Sequence, residues 1–306
     1  MKRIFTLIFI PALLLIGCQS EDAGAGEGEK IEAVATIAQI ADIVENVGGE
    51  HVEVKNLMGP GTDPHLYKPV SSDIDAMEEA DIIFYNGHHL EGQMNEIFGK
   101  MNEEKPTYAV AETVPEDLLA SDPENPEVYD PHIWFDIELW KYAVDSVTEG
   151  LIEADPDNEE EYQNNAIAYK EELDELHTYA KDSISEIPEE SRVLVTAHDA
   201  FQYFGEAYGL EVLGLQGLST ESEYGVNDIE RITETLTERN VKAVFVESSV
   251  SEKSINAVTE GAAEKGHEVE IGGELFSDAM GPEDTEEGTY IGMFRHNIDT
   301  IVEALN

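Results

Sequence analysis

Residues 155–188 have the sequence DPDNEEEYQNNAIAYKEELDELHTYAKDSISEIP. Apolar residues recur every three or four positions along it, at Tyr162, Ala166, Tyr169, Leu173, Leu176, Ala180, Ile184 and Ile187. That spacing predicts one helix with a single buried face. Proline suits the first helical turn, so Asp155 is the predicted cap and Pro188 marks the end. At 1.5 Å per residue the helix would be roughly 45 Å long, enough to bridge two lobes.

On both sides of this helix, short apolar runs alternate with amphipathic stretches, a pattern typical of parallel sheets covered by helices. The predicted strands are 32–36, 52–57, 81–85, 107–111, 193–197, 211–215, 243–247 and 268–271. The clearest additional helices are 38–47, 227–238, 254–265 and 289–305. We therefore predict an α/β fold of two doubly wound lobes, residues 31–154 and 189–306, joined by one long rigid helix. A rigid connection predicts lobes that hinge little.

Residues 1–17 differ in kind from the rest of the chain. A basic start at Lys2 and Arg3 precedes an apolar run too short to span a bilayer comfortably, and Gly17-Cys18 follows it. This pattern resembles a bacterial lipoprotein signal peptide. The resemblance implies cleavage before Cys18, lipidation of Cys18, and a flexible tether over residues 18–30. The protein would then be anchored outside the cytoplasm, on the outer face of the cytoplasmic membrane or in the periplasm.

The alternative for this segment is an uncleaved anchor with a stray thiol. Cys18 is the sole cysteine, so no disulfide framework can form within the chain.

The chain is strongly acidic, with 67 Asp and Glu against 17 Lys and Arg and a net charge of −50. Such a charge excludes nucleic acid as a partner. The carboxylates are spread over every segment, so they do not form one ring that would gather cations. Repulsion between surface carboxylates mostly disappears at molar salt, where the Debye length is about 3 Å. The composition therefore predicts a halophilic acidic surface.

The tripeptide Asp-Pro-His occurs twice, at Asp63-Pro64-His65 and at Asp130-Pro131-His132. Proline fixes its own φ and pushes the preceding residue toward extended backbone, so each histidine projects from a stiff turn. One copy alone would indicate an ordinary turn, since Asp and Pro commonly start turns. Two copies, together with the residues described next, favour a metal site.

Four residues are the candidate metal ligands, because open α/β sheets bind ligands at the carboxyl ends of their strands. His65 and His132 lie in loops of the first lobe. His198 directly follows a predicted strand of the second lobe, and Asp278 lies in a loop rich in glycine and acid. We expect a cleft between the lobes to hold one ion on three imidazoles and one carboxylate.

Several stretches match the motifs of a known family: Asp63-Pro64-His65-Leu66-Tyr67, Tyr85-Asn86-Gly87, Leu90-Glu91-Gly92, Asp130-Pro131-His132-Ile133-Trp134-Phe135-Asp136, His198-Asp199-Ala200-Phe201-Gln202-Tyr203-Phe204 and Gly273-Glu274-Leu275-Phe276-Ser277-Asp278. Through them the chain resembles the metal-binding lipoproteins of ABC importers for manganese and zinc, the cluster A-I or family 9 solute-binding proteins. The resemblance covers nearly the whole chain after the leader. It implies that the four candidates are the metal ligands and that the Tyr85 motif is structural.

The expected transported ligand is Mn²⁺ or Zn²⁺. Members of the family that look dedicated to manganese often have Glu at the third ligand position, where this chain has His198. Three nitrogens and one carboxylate suit zinc. Zinc-dedicated members typically have a histidine-rich loop before the second ligand, and residues 120–129 contain no histidine. The missing loop puts manganese slightly ahead.

The resemblance also implies the partners. A membrane permease would take the ion, and a separate ATPase subunit would supply energy, because the glycine-rich stretch 59–61 lacks the Gly-Lys-Ser pattern of a phosphate-binding loop. The chain is then a binding protein, not an enzyme, and is expected to be a monomer.

An extracytoplasmic zinc metallohydrolase is the alternative function, because three histidines and an aspartate also build catalytic zinc sites. Catalytic zinc needs an open coordination position and a nearby general base, whereas four protein ligands close the shell. Glu247 is the one base that can be nominated, and no His-Glu-x-x-His pattern is present. Nothing in the sequence supports a third class, an adhesin.

The remaining residues near the motifs have weaker assignments. His88 and His89 follow a predicted strand and are minor candidates for a role near the cleft. We expect solvated or packed positions for His51, His177, His267 and His296. An apolar wall around the site is expected from Tyr67, Trp134 and Phe201. Helix capping is expected of Asp136 and Asp199, with orientation of imidazoles as the alternative.

The acidic composition gives a first prediction. The midpoint of thermal unfolding should rise between low and molar NaCl, because salt screens repulsion that acts most strongly on the compact state. A midpoint that stays constant or falls over this range would rule out the halophilic interpretation.

Overall fold

The computed structural model describes residues 30–122 and 125–306. The predicted leader, with Cys18 and all of its tether except Lys30, lies outside these residues. The first lobe consists of β1 (Ile31–Ile37), α1 (Ala38–Gly48), β2 (Val52–Met58), α2 (Ser71–Glu79), β3 (Ile82–Tyr85), α3 (Asn95–Glu104), β4 (Thr107–Ala109) and α4 (Ile137–Ala154). The long helix α5 (Glu159–Ser185) follows.

The second lobe consists of β5 (Val193–His198), α6 (Gln202–Tyr208), β6 (Glu211–Gln216), α7 (Val226–Arg239), β7 (Ala243–Glu247), α8 (Lys253–Glu264), β8 (Glu270–Leu275) and α9 (Tyr290–Leu305). Of the helices in the part of the chain that the structure describes, none is long and apolar enough to cross a membrane.

All strand pairs named in either lobe are parallel. The first lobe has the strand order β2-β1-β3-β4, with Ala33 of β1 opposite Val54 of β2 and Ile82 of β3. In the second lobe β5 pairs with β6 and β7 with β8, and β5 lies next to β7 without a shared ladder. The second lobe therefore repeats the arrangement of the first, which confirms the predicted doubly wound fold.

The apolar stripe predicted for the long helix is buried along its whole length. The residues concerned are Tyr162, Ala166, Tyr169, Leu173, Leu176, Ala180, Ile184 and Ile187. The stripe packs against α1 and α4 of the first lobe and against α6 and α9 of the second. The helix thus contributes to one apolar core that continues from lobe to lobe.

The start of the long helix differs from the prediction. Asp155 precedes a separate 3-10 turn, Pro156–Asn158, and the residue at the cap position of α5 is Asn158. The Asp155 carboxylate instead accepts hydrogen bonds from the Asn158 side chain at 2.5 Å and from the Tyr162 hydroxyl at 2.8 Å. Proline at the first position favours a turn there, and these two bonds close that turn before the helix begins.

The last strand is also displaced from the prediction. Residues 268–271 were predicted, whereas β8 runs from Glu270 to Leu275 and includes Gly272 and Gly273. Glycine is unfavourable in strands, so the sequence pattern predicted that this strand ends before Gly272. A Cβ on Gly272 would lie 2.6 Å from the Ala304 side chain and 2.9 Å from that of Phe245. Glycine is therefore required here because α9 packs directly on the strand.

Aromatic rings fill the interface between the lobes. Phe135 of the first lobe and Phe201 of the second have ring centroids 4.3 Å apart, and Trp140 stacks on Tyr290 at 5.5 Å. All four side chains are fully buried. Burial of this much aromatic surface resists separation of the lobes, in agreement with the small hinge motion that the long helix predicts.

A buried carboxylate joins three helices within this interface. Asp42 of α1 accepts a hydrogen bond from the Tyr169 hydroxyl of α5 at 2.7 Å and from the backbone N–H of Tyr290, the first residue of α9, at 3.1 Å. Burial raises the pKa of Asp42 above its ordinary value. The first lobe, the long helix and the second lobe are thus tied at one point.

Candidate metal centre

The four candidate ligands come together in the structure. His65, His132, His198 and Asp278 each place one ligand atom within 4.8 Å of the others. Their exposed fractions are 3%, 0%, 0% and 1%. This is the arrangement expected from the sequence: residues far apart along the chain, two from each lobe, converge in a buried site between the lobes.

The distances between these ligand atoms match the size of one metal ion. The Nε2 atoms of His65 and His132 are 3.4 Å apart. Asp278 places Oδ2 at 3.3 Å from His198 Nε2 and 3.9 Å from His65 Nε2, and Oδ1 at 3.5 Å from His132 Nε2. Four ligands at about 2.0–2.1 Å around a tetrahedral ion lie roughly 3.3 Å from one another. A cation could therefore bind with little movement of these side chains.

The buried carboxylate of Asp278 is the feature that most favours cation binding at this site. Both carboxylate oxygens are buried, and neither receives a hydrogen bond of good geometry from any described residue. Leaving a buried charge without a partner costs several kcal/mol. Burial raises the pKa of Asp278, but the charge of His198 and of the other two imidazoles outweighs this and holds the pKa below its usual range. The carboxylate is thus ionised and ready to bind a cation.

Each ligand is placed by the end of a strand or by a loop beside one. His198 is the last residue of β5, and Asp278 lies three residues beyond β8. His132 lies just before α4, and His65 lies in the loop after β2. The sheets therefore direct all four side chains toward the edge where the carboxyl ends of their strands meet.

Side chains of the first lobe fix the segment that contains Asp278. The carbonyl oxygen of Ser277 accepts a hydrogen bond from the indole N–H of Trp134 at 3.1 Å and from the Gln39 amide at 3.5 Å. Trp134 also packs edge-on against the His132 ring, with centroids 5.2 Å apart. The predicted apolar wall is therefore present at Trp134, which in addition holds a ligand loop of the other lobe.

Two of the imidazoles are held by a carboxylate behind them. Asp130 Oδ1 accepts from the backbone N–H of His132 at 2.9 Å and lies 2.6 Å from its ring Nδ1. Glu247 Oε1 accepts from the backbone N–H of His198 at 2.9 Å, and Oε2 lies 2.6 Å from its ring Nδ1. A carboxylate at Nδ1 fixes the ring and leaves the Nε2 lone pair directed at the metal position.

Sequence reasoning missed these two roles. Asp130 was considered only as a turn residue, and Glu247 only as a possible catalytic base. For Asp130 the tripeptide itself could have given the signal, because an Asp two residues before a histidine can accept from both its backbone and its ring. The contact between Glu247 and His198 has no local signal, since it joins neighbouring strands β7 and β5.

Burial and charge set the protonation of the ligands. Burial lowers the pKa of His65 to about 3, so this imidazole is neutral near pH 7 and can donate its lone pair to a metal. Burial alone would also lower the pKa of His198, but the charges of Glu247 and Asp278 raise it well above its usual value. These two carboxylates therefore favour the protonated form of His198, whose positive charge would partly compensate them.

The Tyr85-Asn86-Gly87 motif supports the loop that contains His132. The Asn86 side chain donates to the carbonyl oxygen of Pro131 at 3.0 Å, directly before His132. Its backbone N–H donates at 2.8 Å to Glu91, which is buried and also accepts from the Thr36 hydroxyl at 2.6 Å. The motif thus acts by positioning, as expected from the sequence.

The secondary candidates lie outside the cluster of four. His88 bonds the carbonyl oxygen of Ala111 at 3.2 Å, and His89 bonds Asn95 at 3.0 Å. The remaining histidines are packed or paired elsewhere: His51, His177, His267 and His296. None of these six belongs to the group of four ligands that the described residues form.

The two aspartates beside the ligands behave differently from each other. Asp136 caps α4, as predicted, by accepting from the backbone N–H of Glu138 at 2.8 Å. The capping prediction for Asp199 is wrong, because α6 begins at Gln202 and Phe201 occupies its cap position. Burial and the nearby Asp130 raise the pKa of Asp199 to about 6.

The two other aromatic residues expected near the site have different surroundings. Phe201 packs in the interface between the lobes, as described above, and Tyr67 is only half-buried. The Tyr67 hydroxyl donates to Asp73 at 2.7 Å, which holds the start of α2.

The chain is similar to proteins of a known family. The family described as zinc-uptake complex component A, periplasmic, matches residues 33–304. The chain is 51% identical over 304 residues to the manganese-binding lipoprotein MntA of Bacillus subtilis, covering 99% of both chains. It is 46% identical over 286 residues to the zinc-binding protein TroA of Treponema pallidum, covering 94% of this chain and 92% of that protein.

A solved structure of a relative has the same fold. The periplasmic zinc-binding protein TroA from Treponema pallidum superposes with a TM-score of 0.88 at 47% identity, over 90% of this chain and 99% of that chain. The superposition extends over both lobes. With the family match over nearly the whole described chain, it leads to one conclusion: this protein belongs to the family of periplasmic zinc-uptake component A proteins.

Proposed function

We propose that this protein binds one Mn²⁺ or Zn²⁺ ion outside the cytoplasm and delivers it to an ABC importer. His65, His132, His198 and Asp278 are the proposed ligands. The observation that carries the proposal is the buried Asp278 carboxylate, which receives no well-formed hydrogen bond from the residues that the structure describes and lies 3.3–3.9 Å from three imidazoles. A divalent cation would compensate this charge and complete the site.

The ligand set supports both ions. Three neutral imidazole nitrogens and one carboxylate suit tetrahedral zinc. Asp278 can also bind through both oxygens, which would raise the coordination number toward the value that manganese prefers. One relative is named for manganese at 51% identity and another for zinc at 46%. Zinc should bind more tightly at equilibrium by the Irving–Williams order, so availability outside the cell would select the ion.

The proposed delivery follows from where the site lies. The ion would be held between lobes 31–154 and 189–306, so a permease that docks on the faces flanking the cleft could withdraw it. A separate ATPase subunit would supply the energy. Several relatives are named as lipoproteins, which supports lipidation at Cys18 and an anchored protein at the outer face of the membrane. We also propose that the protein is a monomer.

The arrangement does not favour the metallohydrolase. Glu247, the one candidate base, is buried with one oxygen on the His198 backbone and the other near its ring, so it holds a ligand and cannot take a proton from water. Four protein ligands around a small ion also leave no open position for water. We therefore propose that the chain is not an enzyme.

Removal of a ligand is the direct test. His65→Ala and His198→Ala should each weaken Zn²⁺ binding by more than about 100-fold, because three ligands cannot complete the shell. Competition against a fluorescent zinc chelator measures the affinity. His296→Ala, at a partly exposed histidine outside the cluster, is the matched control and should bind as the wild type does. Unchanged affinity in either ligand variant would remove that residue from the site.

The carboxylate behind His198 gives a further prediction. Glu247→Gln should weaken Zn²⁺ binding by about 10- to 100-fold, because the His198 ring loses the anion that orients it and raises its basicity. The exposed Glu268→Gln makes the same chemical change away from the site and should have no effect. Equal affinity of both variants would show that Glu247 does not act on the metal through His198.

A further inference from the structure

The three histidine ligands are not held equally. An aspartate or glutamate oxygen accepts from the backbone N–H of each: Asp63 for His65, Asp130 for His132 and Glu247 for His198. At His132 and His198 the same carboxylate also lies 2.6 Å from the ring Nδ1.

The ring of His65 lacks such a partner. Its Nδ1 makes no hydrogen bond to any residue in the part of the chain that the structure covers. Apart from its contacts with the other three candidate ligands, His65 is therefore held through its backbone, by the carboxylate of Asp63.

Asp63 uses its second oxygen to bind the other lobe. Its Oδ2 accepts a hydrogen bond from the Thr220 hydroxyl at 2.6 Å. Thr220 belongs to the 217–225 loop, which runs from Gly217 to Gly225 between β6 and α7. One carboxylate thus connects the backbone of a metal ligand in the first lobe to a loop of the second.

The 217–225 loop is well placed to hold this contact. The Gln216 side chain donates to the carbonyl oxygens of Thr220 at 3.2 Å and Ser222 at 2.8 Å, which shapes the loop from within. A second bond between the lobes joins the Gln93 amide to Glu221 at 2.6 Å. The loop therefore bridges to the first lobe at two adjacent residues.

The position of His65 makes it the natural first ligand to leave. Its neighbour Leu66 is 52% exposed, whereas Ile133 and Trp134, which follow His132, are fully buried. A metal ion leaves a four-ligand shell only after one ligand moves away. His65 lies nearest the surface and has no carboxylate at its ring Nδ1, so its departure from the shell needs the least rearrangement.

We propose that Thr220 is a positioning residue that controls release of the metal ion: its hydroxyl holds Asp63, and Asp63 holds His65 in the shell. This inference rests on the proposed function. Displacement of the 217–225 loop would break the bond to Asp63 and free the His65 segment. A permease that docks on this loop could trigger release without separating the lobes.

The test is the rate of Zn²⁺ release, measured by mixing Zn²⁺-loaded protein with an excess of a colorimetric chelator in a stopped-flow instrument. Thr220→Val keeps the shape of the side chain and removes the hydroxyl, so release should be about tenfold faster, as expected for loss of a hydrogen bond to a charged group. Thr220→Ser keeps the hydroxyl, so this variant should release Zn²⁺ at the wild-type rate.

Two comparisons separate this role from a merely structural one. Thr285→Val makes the same change at an exposed threonine whose hydroxyl bonds Pro282 locally at 2.8 Å, and it should not alter the rate. In an Asp63→Ala background, Thr220→Val should give no further acceleration, because the two residues act through one bond.

The release rates distinguish failure of the Thr220 inference from failure of the proposed function. If Thr220→Val releases Zn²⁺ within about twofold of the wild-type rate, or if Thr220→Ser releases it as fast as Thr220→Val, the inference is overturned while the proposed function stands. If the wild-type protein retains neither Zn²⁺ nor Mn²⁺, the proposed function fails together with it.

Discussion

The ionised carboxylate of Asp278 is the constraint on which the site depends. It is fully buried, it receives no well-formed hydrogen bond from the described residues, and three imidazoles surround it. A buried charge of this kind persists only where something compensates it. Glu247 and Asp278 raise the pKa of His198, so a proton on this ring would partly compensate the carboxylates. A bound divalent cation would replace that proton. Its positive charge would offset the carboxylates of Asp130, Glu247 and Asp278, which lie close to the histidines.

A rigid frame brings four side chains from the two lobes into one cluster. The core around the long helix is continuous between the lobes, and Asp42 ties three helices together within it. Stacked aromatic rings such as Trp140 and Tyr290 fill the interface. Against this frame the ligand loops differ in how firmly they are held. Asp130 and Glu247 contact His132 and His198 at both backbone and ring, whereas Asp63 holds His65 at its backbone only. Motion during the proposed uptake and release would therefore be concentrated in loops.

The fold, and the four side chains that cluster between the lobes, were largely predictable from the sequence because their signals are local. The buried stripe of α5 follows from helical periodicity, and each ligand lies beside a turn or at a strand end. The contacts that hold the ligands were less predictable, because they join distant residues. Glu247 reaches His198 from a neighbouring strand, and Thr220 reaches Asp63 from the other lobe. Asp199 shows the reverse case: its sequence position favours a cap, but α6 begins only at Gln202.

X-ray absorption spectroscopy at the zinc edge, on protein loaded with one equivalent of Zn²⁺, identifies the atoms that bind the ion. We expect a single shell of nitrogen and oxygen ligands at about 2.0–2.1 Å, with outer-shell scattering from three imidazoles. That scattering should fall to two imidazoles in His198→Ala. A spectrum with one imidazole or none in the wild-type protein, or a shell composed mainly of water, would contradict the assignment of His65, His132, His198 and Asp278 to one metal ion.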